Sequence, residues 1–144
     1  MRRPLIVVAL TLASCYTAPK VEQFDKARTY SAPYSEVWTA TVDMVSSLGV
    51  SVEAIEKESG LITVNPGSAA GGYCKCPGGL LTVITAWRGK YNIFVKTATD
   101  STTTVQINSF FEGFNEAMGL KQWTPCASSG KLEAELFALI GEKL

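Results

Sequence analysis

The 144-residue chain contains no histidine, and this absence narrows its chemistry. Imidazole is the usual general base near neutral pH and a common zinc ligand, so Ser-His-Asp and Cys-His catalytic arrangements are excluded. Charge is also scarce and balanced, because 13 basic residues face 13 acidic ones with no basic cluster along the chain. We therefore expect no enzyme activity, no catalytic residues, no cofactor, no bound metal and no nucleic-acid partner.

Long apolar runs are missing as well, since none reaches the roughly 20 residues that a membrane-spanning helix needs. The apolar stretch at residues 5–12 is short and follows Arg2 and Arg3, which is the pattern of an export signal. It runs into the sequence LASC at residues 12–15, which matches the lipobox of bacterial lipoproteins. The motif predicts that the Cys15 thiol is lipidated. Cys15 then becomes the first residue once the preceding residues are cleaved off.

These signals divide the chain into three parts. Residues 1–14 are predicted to be a lipoprotein signal peptide, residues 15–30 a lipid anchor and tether, and residues 31–144 a single α+β domain. Several acyl chains together anchor a protein stably, so we expect the membrane itself to be a partner. Tyr16 stands where an Asp would favour inner-membrane retention, which indicates an outer-membrane location facing the periplasm.

Apolar spacing predicts two helices separated by strands. The first helix is expected at 33–48, with Gly49 after its end, and the second at 129–144, capped by Ser128 or Ser129. Strands are expected at 50–56, 61–64, 80–87, 90–98 and 102–110, and residues 65–79 are expected to form a loop. This order predicts an antiparallel curved sheet of about five strands packed on one long N-terminal helix, with a C-terminal helix.

Three segments carry a resemblance to a known group of proteins: residues 32–38 (APYSEVW), 55–62 (IEKESGLI) and 126–133 (CASSGKLE). They resemble a broad group of small Gram-negative envelope lipoproteins of unknown function. Those proteins are similar to the helix-grip domains of the accessory lipoprotein in the outer-membrane β-barrel assembly machine. The resemblance implies a sheet that grips a helix, and it implies no catalytic residues.

The resemblance also implies a disulfide between a cysteine before the middle strands and one before the last helix. Cys126 stands at the second position, but both Cys74 and Cys76 stand at the first. We expect Cys76 to pair with Cys126, with Cys74 as the alternative partner. A bond between Cys74 and Cys76 would fall outside usual disulfide geometry, and export places all three in an oxidising compartment.

Aromatic residues are frequent near the third quarter of the chain and beyond. Phe110 and Phe111 are adjacent in a predicted strand, so only one of them can face the core. Residues 111–125 show no clean period. We predict an interaction patch there, formed by Phe110, Phe111, Phe114 and Trp123.

These observations favour a membrane-anchored envelope lipoprotein that acts as a non-catalytic accessory or protein-interaction module. An envelope protein is then the expected partner. The alternative is a carrier of a small ligand or lipid, using a groove between sheet and helix. Three carboxylates on the predicted hairpin, Glu53, Glu56 and Glu58, are expected to form a solvated edge rather than a catalytic pair.

Overall fold

A computed structural model describes residues 22–79, 82–117 and 119–144. Strands and helices follow one another in the order β1 (Ala27–Tyr30), α1 (Tyr34–Ser47), β2 (Ser51–Glu56), β3 (Leu61–Asn65), a 3-10 helix (Gly67–Gly72), β4 (Cys74–Lys75), β5 (Ile84–Thr99), β6 (Thr102–Ala117), β7 (Leu120–Ser128) and α2 (Lys131–Glu142). Cys15 and the predicted signal peptide lie outside the described residues.

All strand pairs are antiparallel and form one seven-stranded sheet. Six strands follow the order β2-β3-β5-β6-β7-β4, and the seventh, β1, pairs with β6 outside this order. β5 and β6 are the longest strands, at 16 residues each, and they pair along nearly their whole length. The other edge of β6 is shared: β1 pairs with Thr103–Gln106, and β7 pairs with Phe111–Ala117. β6 is therefore the central strand of the molecule.

One face of the sheet, here called the inner face, is covered and the other, the outer face, is open. Alternate residues of β5 and β6 are buried on the inner face, as the two-residue period of a strand requires: Tyr91, Ile93, Val95, Val105, Ile107 and Phe111. Both helices contribute side chains to the same core, with Met44 and Phe137 among the largest of them. The apolar stripes of α1 and α2 thus pack against the inner face.

The predicted fold was wrong in its proportions. The sheet has seven strands rather than about five, and the N-terminal helix spans 14 residues rather than forming one long helix gripped by the sheet. Of residues 111–125, which show no period, 111–117 belong to β6 and 120–125 belong to β7. The two strands predicted at 80–87 and 90–98 are one strand from Ile84, since the sheet continues through Gly89.

Two local predictions also differ from the structure. The predicted loop at 65–79 contains the 3-10 helix and β4, which pairs with the end of β7. The N-cap of α2 is Gly130 rather than a serine. Ser129 instead donates its hydroxyl to the Tyr73 carbonyl at 2.9 Å, so it joins the β4 region to the start of α2.

The turn between β2 and β3 fastens α1 to the sheet. The Tyr34 hydroxyl donates to the Lys57 carbonyl at 2.7 Å, and the Val95 amide donates to the Gly60 carbonyl at 2.8 Å. Gly60 has a φ of +69°, and a Cβ there would lie 2.1 Å from the Val95 carbonyl oxygen. This position therefore requires glycine for both its backbone conformation and its close approach to β5.

Replacing Gly60 with alanine should destabilise the protein much more than replacing Gly49. Gly49 has nearly the same φ, +64°, but a Cβ there meets no atom within 4 Å. We expect Gly49→Ala to cost about 1–2 kcal/mol, from the left-handed backbone alone. The Gly60→Ala variant adds the clash with β5, so its unfolding free energy in urea should fall well below that of the control. Equal losses in the two variants would contradict this account.

Candidate functional site

The predicted aromatic patch divides between the two faces of the sheet. Phe111 is 3% exposed and packs in the core, whereas Phe110 is 59% exposed on the outer face. Alternation along β6 places Phe114 on the outer face with Phe110, and the strand register sets Phe114 opposite Trp123 of β7. The structure therefore brings together Phe110, Phe114 and Trp123, here called the aromatic face, and excludes Phe111.

The aromatic face is supported by a cation that the sequence analysis did not single out. The rings of Phe114 and Trp123 lie 5.2 Å apart at a tilt of 52°. The guanidinium of Arg88 lies 4.2 Å over the Trp123 ring, and its Nε donates to Glu112 at 2.6 Å. Arg88 is opposite Glu112 in the β5–β6 register, so three neighbouring strands combine in one stacked arrangement.

An open hollow of about 460 Å³ lies beside Phe110 and is bordered by Lys90, Glu112 and Pro125. The Lys90 ammonium lies 2.6 Å from the Glu53 carboxylate of β2. Hydrogen bonds from Lys90 and then Asn65 lower the pKa of Glu53 below its usual value. Glu53 is thus an ion-pair partner at the rim of the hollow, which is a poor environment for a general base.

The disulfide between Cys76 and Cys126 joins β4 to β7. Cys74 is opposite Ser128 and Lys75 is opposite Ala127, so the next step along the antiparallel register places Cys76 opposite Cys126. The two sulfurs are 1.97 Å apart and the Cα atoms 4.1 Å apart. The structure therefore contains the expected pairing of Cys126 with Cys76 and not the alternative pairing with Cys74. The bond fixes the end of β7 that leads into α2.

The Cys74 thiol lies beside this disulfide and is half-buried. The three sulfurs of Cys74, Cys76 and Cys126 lie within 4.8 Å of one another. Because two of them share a covalent bond, the cluster offers one thiol as a ligand. Burial raises the pKa of Cys74 above its ordinary value of 9.0, which keeps it in the unreactive protonated form at neutral pH.

A buried carboxylate that the sequence analysis missed lies at the start of α2. Glu133 is 1% exposed and accepts hydrogen bonds from the hydroxyls of Ser109 and Ser128, the latter at 3.0 Å. These bonds connect α2 to β6 and β7, and the helix N-terminus favours the negative charge. Its position in the first turn of a helix that follows two serines is a weak signal in the sequence.

The buried carboxylate and the exposed aromatic ring belong to different faces of the sheet. Glu133 is 1% exposed, and its partner Ser109 is among the residues that border the hollow. The chain contains no imidazole to complete a Ser-His-Asp group. On the outer face, Phe110 is exposed and Phe114 and Trp123 are half-buried, and ion pairs of Arg88 and Lys90 lie beside them. Within residues 22–79, 82–117 and 119–144, no helix combines the length and hydropathy needed to cross a bilayer.

Comparison with known proteins does not assign the chain to a family: no protein-family model matches it, and no curated protein is similar to it in sequence.

Adjacent phenylalanines provide a matched test of the two faces. Phe111→Ala removes a ring from the core and should cost about 3–5 kcal/mol of unfolding free energy. Phe110→Ala removes an exposed ring and should change the unfolding free energy by only about 0.5 kcal/mol. Urea denaturation of both variants measures the difference. Similar losses in the two variants would show that the register of β6 is not the one described.

Alkylation tests the state of the cysteines. In a Cys15→Ser chain without reductant, iodoacetamide should add one group, at Cys74, as measured by intact mass. The rate should keep rising as the pH passes 9.0, because the raised pKa delays formation of the thiolate. A Cys74→Ser control should take up no label. Two or more adducts, or a rate that levels off below pH 9.0, would contradict the described pairing or the burial of Cys74.

Proposed function

We propose that the chain is a lipid-anchored protein of the bacterial cell envelope, with its folded domain, which includes β1, acting as a non-catalytic accessory or protein-interaction module. The support for the anchor is the sequence LASC at residues 12–15, which follows a short charged and apolar leader. The disulfide between Cys76 and Cys126 agrees with export, because such bonds persist in oxidising compartments.

The single observation that carries the contact role is the aromatic face. Exposed aromatic rings on a folded surface are a typical feature of interaction sites, whereas isolated exposed aliphatic residues are not. Here Phe110 is exposed although its neighbour Phe111 fills the core, and Arg88 stacks on Trp123. A carboxylate pair or a nucleophile with an accessible base would favour catalysis instead. Among the described residues that border the hollow, Glu112 is ion-paired with Arg88, and the Ser109 hydroxyl donates to Glu133, which is buried.

The proposal also includes a location and a relationship. Tyr16 after the lipidated cysteine favours the outer membrane, facing the periplasm. The resemblance to small Gram-negative envelope lipoproteins stays a prediction, supported by the lipobox and by the disulfide before the last helix. The gripped long helix that the resemblance implied is not part of this proposal, because the structure contradicts it.

A carrier function has less support. In the described residues, the space between sheet and helices is filled by a core with fully buried side chains from both layers. The cavity beside α2, which Tyr73, Tyr91 and Leu136 border, holds about 190 Å³. Pockets for small ligands usually hold about 300–1,000 Å³, so this cavity is small for a lipid.

The anchor predicts a specific mass and a specific location. Protein purified from cell membranes should begin at Cys15 and carry a diacylglyceryl group, with a further acyl chain on the amino terminus where the host adds one. The Cys15→Ser variant should lose these groups and leave the membrane fraction. Intact mass and cell fractionation measure both effects, with Cys74→Ser as the matched control that should remain acylated.

A full-length mass that includes residues 1–14, without any acyl group, would contradict the proposed anchor. Equal membrane association of the Cys15→Ser and Cys74→Ser variants would contradict it as well, because the lipid would then not be what retains the protein.

A further inference from the structure

We propose that the aromatic face lies against the surface of the bilayer that holds the anchor, with Phe110 and Trp123 at the level of the lipid headgroups. This inference rests on the proposed function, because it needs the lipid on Cys15. It assigns the contact made by the aromatic face to an uncharged or zwitterionic phospholipid surface, so a protein partner of the module would contact another part of the domain.

The described chain begins at the edge of this face. The Glu22 carboxylate accepts a hydrogen bond from the Lys75 ammonium. Lys75 is opposite Ala127 on β7, and the β6–β7 register, extended by one residue from Phe111 and Cys126, places Ala127 beside Phe110. Neighbouring strands are about 4.8 Å apart, so the backbones of Lys75 and Phe110 are separated by about 10 Å.

The same three positions share the outer face. Cys76 and Cys126 are bonded on the inner face, so the residues next to them in sequence, Lys75 and Ala127, point outward, as does Phe110. The tether therefore reaches the domain in line with its most exposed aromatic ring.

The part of the tether between Cys15 and Glu22 is too short to let this face point directly away from the membrane. Seven residue steps separate Cys15 from Glu22. Whatever their conformation, they span at most about 25 Å, at about 3.6 Å for each residue. A compact domain of this size is roughly 35 Å across. With the outer face directed away from the bilayer, Glu22 would lie on the far side of the domain, beyond the reach of the tether.

The chemistry of the face suits a lipid surface of low charge. Tryptophan is favoured at the headgroup level of a bilayer, phenylalanine occurs on the apolar side of segments that lie in this interface, and long basic side chains extend beside them to reach water. The cations around the face are already matched by carboxylates: Arg88 by Glu112, Lys90 by Glu53, Lys121 by Glu116 and Lys75 by Glu22. Each of these pairs is neutral, so together they provide no excess positive charge that would select anionic lipids.

The lipid anchor allows the aromatic face to contact the bilayer even though its own affinity for lipid is weak. A few exposed rings give little affinity to a free domain, but a tether raises their effective concentration at the bilayer to the millimolar range. We therefore expect the face to contact lipid in the anchored protein and not in the unlipidated chain.

The three tryptophans, Trp38, Trp87 and Trp123, allow a test with internal controls. The acylated full-length product is labelled with 5-fluorotryptophan and placed in phosphatidylethanolamine–phosphatidylcholine nanodiscs, with or without a gadolinium-chelating lipid. Trp38 is buried in α1 on the inner side, whereas Trp123 belongs to the aromatic face. The fluorine signal of Trp123 should relax several-fold faster with gadolinium than that of Trp38. Trp123→Phe and Trp87→Phe variants assign the signals.

Variants separate the face from general apolar exposure. Phe110→Ser should reduce the gadolinium effect on Trp123, whereas Ile55→Ser should leave it unchanged. Ile55 is the matched control, because it is 50% exposed on β2 at the far edge of the sheet. Neither substitution touches the core, so both variants should fold.

Several results would overturn the inference. Equal gadolinium effects on Trp38 and Trp123 would show a freely tumbling domain, and a larger effect on Trp38 would show the opposite orientation. If the relaxation of the Trp123 signal does not change with the gadolinium lipid, but its chemical shift changes when envelope proteins are added, the face contacts a protein partner instead. The mass of the starting material keeps the two proposals distinct: without acylation the proposed function fails, whereas with acylation and no Trp123 effect only this inference fails.

Discussion

The pairing of β5 with β6 is the interaction on which the rest of the structure depends. β1, β3 and β7 join the sheet through one of these two strands, and β2 and β4 join through β3 and β7. Both helices cover the inner face that the pair creates. Because side chains alternate, the register that buries Phe111 also exposes Phe110, and a slip of one residue would exchange them. One set of backbone hydrogen bonds therefore defines both the core and the aromatic face.

Periodic segments could be located from the sequence, and interrupted ones could not. Both helices were predicted within about two residues of their ends, because apolar side chains recur on one side of each. The predicted number of strands was wrong because the five predicted strands did not include β1, β4 or β7, whereas β5 was predicted as two strands on either side of Gly89. In the structure Gly89 is opposite Phe111, and a Cβ there would lie 2.8 Å from the Phe111 ring. The glycine makes room for a ring from the next strand, and the strand continues.

The candidate site was predictable only in part, because long-range contacts have no local pattern. The adjacent phenylalanines indicated that one ring faces away from the core, and the structure shows that this ring is Phe110. Nothing near Arg88 in the sequence indicates that it stacks on Trp123, since β6 lies between their strands. Glu133 was missed for the same reason, because its partner Ser109 lies two elements earlier in the chain.

Gly113 connects the choice of residue on β6 to the oxidation state of the protein. A Cβ at this position would lie 2.7 Å from the Cys76 sulfur and 3.2 Å from the Cys126 sulfur. The disulfide therefore occupies the volume that a side chain at Gly113 would need. This is why β6 has a residue without a side chain next to the bond. An alanine side chain at this position and the closed disulfide bond would need the same space, so the structure cannot hold both without a shift. The presence of the disulfide therefore restricts the choice of residue at a position that carries no sulfur.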